Sequence, residues 1–272
     1  MTVHRLTSRD NPLLKKIRRV SSGARNEPEL VAAEGIRVLE EVAKEDCEIE
    51  AVVVSESFGS SPREEKLFRY WQSKGVKTYK TAENLFKSVS SVMSPQGAVA
   101  LVRLAPRNLD DIRTGPNPLV LCGCGIQDPG NLGTLIRSAV AAGCTMVCTL
   151  KGTVSARNPK VIRSSAGAFF RIPVVEQTRL HDFEQYCAAN SLRIYRTDVR
   201  EGLLYTEVDF KSGCAVLLGN EGEGLNERHF ARFPAIRIPM AEEVESLNVA
   251  VAGSVILFEA FRQRLEDSRR IS

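Results

Sequence analysis

The sequence predicts an α/β protein of two domains, the larger built on a mostly parallel sheet with helices on both faces. Three observations predict it. Short apolar runs of strand length alternate with segments of helical spacing, the pattern that puts crossover helices between parallel strands. Residues 105–117 gather prolines, a glycine and several charges between two such alternations, as an interdomain linker does. The 272 residues, 43% hydrophobic and 26% charged, can bury one large core or two ordinary ones, which excludes a disordered chain. The expected division is a first domain at 1–104, a linker at 105–117 and a second domain at 118–272.

In the first domain, Asp10 or Asn11 before Pro12 starts a short helix with Leu13, Leu14, Ile17 and Val20 on one stripe and Lys15, Lys16, Arg18 and Arg19 around it. Glu29–Lys44 has helical spacing, 51–55 (AVVVS) is a β-branched strand, Arg63–Lys74 is helical, VKTY at 76–79 is a strand, Ala82–Val89 a helix and 98–104 a strand. Residues 90–97 (SSVMSPQG) read as a flexible or substrate-facing loop.

The second domain opens with the strand LVLCGCG. A helix from Leu132 to about Ala142 turns Leu132, Leu135, Ile136, Ala139 and Val140 to the core and leaves Arg137 outside that group. A strand at 144–150, a helix from Asn158-Pro159, a helix at 179–190 and strands at 192–198 and 214–219 continue the alternation. The last strand runs into LLGNEGEGLNE, where Gly219, Gly222 and Gly224 let backbone approach a ligand closely. AIRIPM follows, stopped by Pro239, and then a long apolar helix with Ser246 and Asn248 at its mouth, a polar pair able to cap it.

The net charge of +4 says little, but its distribution says more. Residues 1–25 carry seven Lys or Arg against one Asp, and 151–175 carry five basic residues and no acid. Two such clusters suit a polyanionic partner. The seven cysteines are odd in number and sit mostly in apolar runs, so free thiols are expected, and no metal, because the three histidines lie elsewhere. Neither a signal peptide nor a membrane span is apparent, so a soluble cytoplasmic protein is expected.

The glycine-rich loop, the IPM strand and the SLN helix start together resemble the second and third motifs of the SpoU-type (TrmH-like) ribose 2′-O-methyltransferases of the SPOUT superfamily. The first motif of that family, Asn-x-Gly-x-x-x-Arg, is matched upstream by Asn131-Leu-Gly133-Thr-Leu-Ile-Arg137. The first domain, best in VAAEGIRVLEEV, resembles the RNA substrate-binding domain with a fold like ribosomal protein L30e. The resemblance implies a trefoil knot at the C-terminal end and S-adenosylmethionine held against the knotted loops by Leu218, Gly219, Asn220, Gly222, Ile238, Met240, Leu247 and Ala252, with Thr197 a further lining residue. It implies Arg137 as the catalytic arginine, Asn131 and Glu221 organising it and its loop, Ser246 and Asn248 lining the methyl-transfer site, and Arg163, Ser164 and Ser165 on the substrate side. Family members are dimers, and the C-terminal helix is the expected interface.

A ribose 2′-hydroxyl is a poor nucleophile, so transfer needs its proton removed and its oxygen aligned with the methyl. An arginine base is unusual because its reference pKa exceeds about 12, so base and electrostatic positioning both stay open for this residue type. The favoured substrate is 23S-type ribosomal RNA, because the first domain resembles the accessory domain of rRNA-directed members. Transfer RNA, and an inactive ribosome-associated RNA-binding protein, are the alternatives. A Rossmann-type methyltransferase is disfavoured because Gly123, Gly125 and Gly130 do not form G-x-G-x-x-G.

Overall fold

The computed structural model describes residues 4–23, 27–220, 225, 227–242 and 244–271. In chain order its elements are β1 (His4–Leu6), α1 (Pro12–Ser21), β2 (Leu30–Glu34), α2 (Ile36–Lys44), β3 (Ile49–Ser55), α3 (Pro62–Ser73), β4 (Thr78–Thr81), α4 (Glu83–Lys87) and β5 (Ala98–Arg103). There follow β6 (Leu119–Gly123), α5 (Pro129–Ala141), β7 (Met146–Leu150), α6 (Pro159–Ser164), β8 (Val174–Thr178), α7 (Leu180–Ala189) and β9 (Arg193–Thr197). The chain ends with β10 (Leu203–Leu204), β11 (Cys214–Leu218), α8 (Glu227–Phe230), β12 (Ala235–Arg237) and α9 (Val249–Ile271).

These elements form two compact units, one of residues 1–106 with 157–171, the other of 107–156 with 172–272. The first holds a five-stranded sheet, β1-β4-β3-β5-β2, in which β5 runs antiparallel to both neighbours. The segment 157–171, expected with the second domain, packs in this unit. Gly167 explains how: at φ +85° it lies so near α2 that a Cβ would come within 2.8 Å of Glu41 Cβ and 3.3 Å of Val38 Cα.

The helix expected over Glu29–Lys44 is β2 followed by α2. All five β2 residues are buried, so the strand shows no alternation, and a short run of four apolar residues reads equally as strand or helix. Gly35, at φ +101°, turns the chain between them. The strand expected at 76–79 is shifted to Thr78–Thr81. Helix α1 starts as expected, Asn11 Oδ1 accepting from Leu13 N at 2.9 Å. Its cations are partly committed within the unit: Lys16 pairs with Glu27 and Glu50, Lys15 with Asp10 at 2.9 Å, and Arg18 donates to Arg9 O at 2.6 Å.

The second unit holds seven parallel strands in the order β10-β12-β9-β11-β6-β7-β8. Strands β6, β7 and β11 are buried throughout, as strands covered on both faces are. The chain fills β6-β7-β8 on one side and then crosses to β9, so β11 joins the two directions of growth, and ligands of open α/β sheets bind outside the strand ends at such a point. Of the linker segment, a short 3-10 turn at Leu109–Asp111 and a bridge from Arg107 to Val175 belong to this unit. No helix among the described residues is long and apolar enough to cross a membrane.

Candidate active site

The site is built where β6, β11, β9 and β12 end side by side. Helix α5 starts three residues earlier than the sequence suggests: Asp128 caps it, its Oδ1 accepting from Gly130 N at 2.6 Å and Asn131 N at 3.0 Å, and Pro129 occupies the first turn, where no N–H is needed. Asn131 therefore stands in the first turn of a helix. Asn248 caps α9 as Asp128 caps α5, its Oδ1 accepting from Ala250 N at 2.9 Å and Val251 N at 3.3 Å. Its remaining amide group donates to Asn131 Oδ1 at 3.0 Å. One hydrogen bond thus ties the first motif to the third across 117 positions of sequence.

Two further contacts fix the crossing of α5 and α9. The Ser138 and Ser254 hydroxyls are 2.7 Å apart. Between them and the asparagines lies Gly253, where a Cβ would come within 2.5 Å of both Leu135 Cδ2 and Leu218 Cδ1. Asn131, Leu135 and Ser138 follow an i, i+4, i+7 spacing and so share one face of α5. Arg137 lies off that face; it is exposed and makes no hydrogen bond or ion pair with any described residue.

The expected cofactor residues cluster at the same strand ends. Leu218 is buried at the end of β11, opposite Gly123 of β6, and its carbonyl accepts from Cys124 N at 2.8 Å. Gly219 and Asn220 continue from it, half-buried. Thr197 ends β9 in register with Ile236, its hydroxyl donating to Leu217 O at 3.1 Å. Ile238 and Met240 follow β12 and are half-buried, Ser246 and Leu247 are exposed just ahead of α9, and Ala252 is half-buried in its first turn. Glu221 and Gly222, expected to support the arginine and the cofactor, lie outside the described residues. Arg163, Ser164 and Ser165 belong to the other unit.

Residues that the motifs did not flag hold the loop after β6. The buried Thr153 hydroxyl accepts from Gly125 N at 3.0 Å and donates to Gly123 O at 3.2 Å, while Gln127 Nε2 donates to Gly152 O at 2.6 Å. No motif marks Thr153; only the fold brings the turn after β7 against the turn after β6. Cys124, in the same loop, is held as a thiol, since burial pushes its pKa above the ordinary value. At the end of β9, Asp198 stays below the ordinary carboxylate value: burial pushes it up, but the Arg200 and Glu201 backbone N–H groups and the Arg196 guanidinium outweigh that.

These surroundings fit a cofactor with an apolar and a polar part. Half-buried apolar side chains and strand-end backbone offer a flat apolar wall with hydrogen-bonding groups beside it, as small-molecule sites do. Among the described residues no three His, Cys, Asp or Glu side chains gather as metal ligands would. A cavity of about 1000 Å³ between Arg107–Ile112, the end of β8 and α7 contains none of the site residues.

A parallel α/β sheet whose switch-point strand ends carry an asparagine pair and a glycine-bearing loop defines a cofactor-binding α/β unit. The chain belongs to the SpoU rRNA methylase family, which it matches over residues 118–258, and residues 11–100 match the MRM3-like substrate binding domain. It is 34% identical to 23S rRNA (guanosine(2553)-2′-O)-methyltransferase RlmP of Bacillus subtilis, over 68% of this chain and 72% of that protein. To 23S rRNA (guanosine-2′-O-)-methyltransferase RlmB of Xanthomonas campestris it is also 34% identical, over 85% of this chain and 96% of that one. Among solved structures, the AdoMet-bound rRNA methyltransferase from Sinorhizobium meliloti superposes with a TM-score of 0.83 at 26% identity, covering 96% of this chain and 98% of that chain.

Proposed function

We propose that the protein transfers a methyl group from S-adenosylmethionine to the 2′-hydroxyl of a ribose in structured RNA, with 23S-type ribosomal RNA as the substrate. The observation that carries this is the Asn131–Asn248 bond, which brings the starts of α5 and α9 together at the strand ends, with Arg137 exposed on α5. The names of the relatives point to the same reaction and the same RNA.

The cofactor, when bound, supplies a methyl on a positively charged sulfur. The chain's residues supply position and electrostatics. Leu218, Gly219, Asn220, Gly222, Ile238, Met240, Leu247 and Ala252, with Thr197 beside them, hold the cofactor, and Asn131 and Glu221 organise Arg137 and its loop. Arg137 is exposed and has no partner among the described residues, so its fork can engage the ribose hydroxyl and an adjacent phosphate, raising the fraction of encounters in which oxygen and methyl are in line. Ser246 and Asn248 line the transfer site. A C-terminal trefoil knot, formed by the loops after β11 and β12 and by α9, completes the cofactor site. The division into an RNA-binding domain at 1–104, a linker at 105–117 and a methyltransferase domain at 118–272, with a cytoplasmic location and no metal, belongs to the same reading.

The working form is a homodimer through the second domain. Val251, Phe258 and Leu265 are 50%, 47% and 42% exposed and recur every seven residues, an apolar stripe along one face of α9 that water does not favour. Phe258→Glu places a charge in that stripe and is expected to convert a dimer into a monomer in sedimentation analysis; a variant that still sediments as the parent dimer removes α9 from the interface.

The substrate class is tested by incubating the protein with S-adenosylmethionine carrying a labelled methyl and, separately, unmodified ribosomal RNA and transfer RNA. Label in ribosomal RNA alone is expected. Label in transfer RNA alone overturns the substrate assignment, and no label in either, without cofactor binding, favours an RNA-binding protein.

A further inference from the structure

We propose that Glu34 and Ser91 are positioning residues that pre-set the Arg163 guanidinium for a phosphate of the bound RNA. This rests on reading the chain as an RNA methyltransferase. Glu34 ends β2 and is only 6% exposed. A buried carboxylate is costly unless its oxygens are satisfied. Here the donors come from one short loop: the Ser90 hydroxyl donates to Oε1, and Oε2 accepts from Ser91 N at 2.8 Å and from the Ser91 hydroxyl at 2.6 Å. No cation pairs with Glu34 among the described residues.

A serine hydroxyl has one proton and two lone pairs. With its proton committed to Glu34, Ser91 Oγ can only accept from outside, and Arg163 Nη1 donates to it at 3.0 Å. The order of donation, from Arg163 to Ser91 to Glu34, is therefore fixed, and each bond polarises the next. The spacer has a consequence that a direct Glu–Arg pair would lack: it orients the guanidinium without neutralising it. Among the described residues Arg163 has no ion pair, so its other N–H groups keep their charge for a ligand. A planar fork with net charge suits a phosphate better than any other RNA group.

The loop is also fixed at its far end. Gln96 Oε1 accepts from Ile36 N at 2.9 Å and caps α2, whose first residue is preceded by Gly35 with no side chain to do so. Residues 90–96 are thus pinned at both ends to the β2–α2 junction. Arg163 lies in the last turn of α6, within the acid-free basic segment 151–175 and the docked segment 157–171 of the same compact unit.

The test is equilibrium binding of the full-length protein to transcribed 23S ribosomal RNA, without cofactor, over a series of salt concentrations. Arg163→Ala is expected to weaken binding about tenfold at low salt and to reduce the slope of log affinity against log salt by about one, the signature of one lost phosphate contact. Ser91→Ala, which removes no charge, is expected to reproduce most of that slope change. Ser91→Thr is expected to restore it, and the Ser91→Ala/Arg163→Ala double variant to bind no more weakly than Arg163→Ala alone. A loss of folding stability alone does not change a salt slope, so a folded Ser91→Ala protein with the parent slope, or additive losses in the double variant, overturns the proposal. Failure of the functional reading is separable, because binding is read without methyl transfer. A protein that shows the arginine-dependent and serine-dependent slopes but transfers no methyl retains this proposal and loses the catalytic one.

Discussion

Arg137→Ala is expected to lower the rate of methyl transfer by about 10²- to 10⁴-fold, the range for a group that handles a proton or a developing charge at the reacting oxygen. Its effect on cofactor binding is expected to stay within about twofold, because the loss falls on the transition state and on RNA, with no change at the strand ends. The structure explains why stability is spared. Arg137 is exposed and makes no hydrogen bond or ion pair with any described residue, so its removal leaves no buried group unsatisfied. Single-turnover transfer and calorimetric titration with S-adenosylmethionine check both halves. Full activity in the variant removes Arg137 from the reaction.

Gly253→Val is expected to destabilise the protein by about 1–3 kcal/mol and to lose most methyl transfer. Two effects oppose one another. A glycine within a helix costs about 1 kcal/mol against alanine, so a side chain here improves helix propensity, although less for β-branched valine. Against this, even a Cβ would sit 2.5 Å from Leu135 Cδ2 and from Leu218 Cδ1, both of them fully buried side chains. Valine adds two further carbons to that space, and overpacking wins. Because the Ser138–Ser254 contact and the Asn131–Asn248 bond flank the glycine, a shift of α9 also opens the site. Urea unfolding together with a transfer assay reads both. A variant as stable and active as the parent shows that α5 and α9 do not set the site.

Much of the fold and site is legible in the sequence, and the reasons differ from residue to residue. The alternation of strands and helices in the second unit follows from periodicity, and Asn248 from its capping chemistry. Arg137 is legible only through the resemblance of Asn131–Arg137 to the family's first motif, since an exposed arginine by itself says nothing. Strand β2 reads as helix from its sequence because burial on both faces erases the alternation that distinguishes a strand. The docking of 157–171 with the first unit depends on Gly167 lying against Val38 and Glu41, a contact between positions far apart in sequence. For the same reason Thr153 and the Glu34–Ser91–Arg163 chain carry no local signature: each is an ordinary residue until the fold places its partner at hydrogen-bond distance.

Identification of the product shows most directly which atom accepts the methyl group. Ribosomal RNA labelled by the protein is digested to nucleosides and analysed by mass spectrometry with fragmentation, which separates the base from the sugar. The mass gain of about 14 daltons, one hydrogen replaced by a methyl group, is expected to stay with the ribose, and Arg137→Ala is expected to slow its appearance by about 10²- to 10⁴-fold. A methyl group found on the base would contradict ribose methylation, because the strand-end site would then be serving a different acceptor atom.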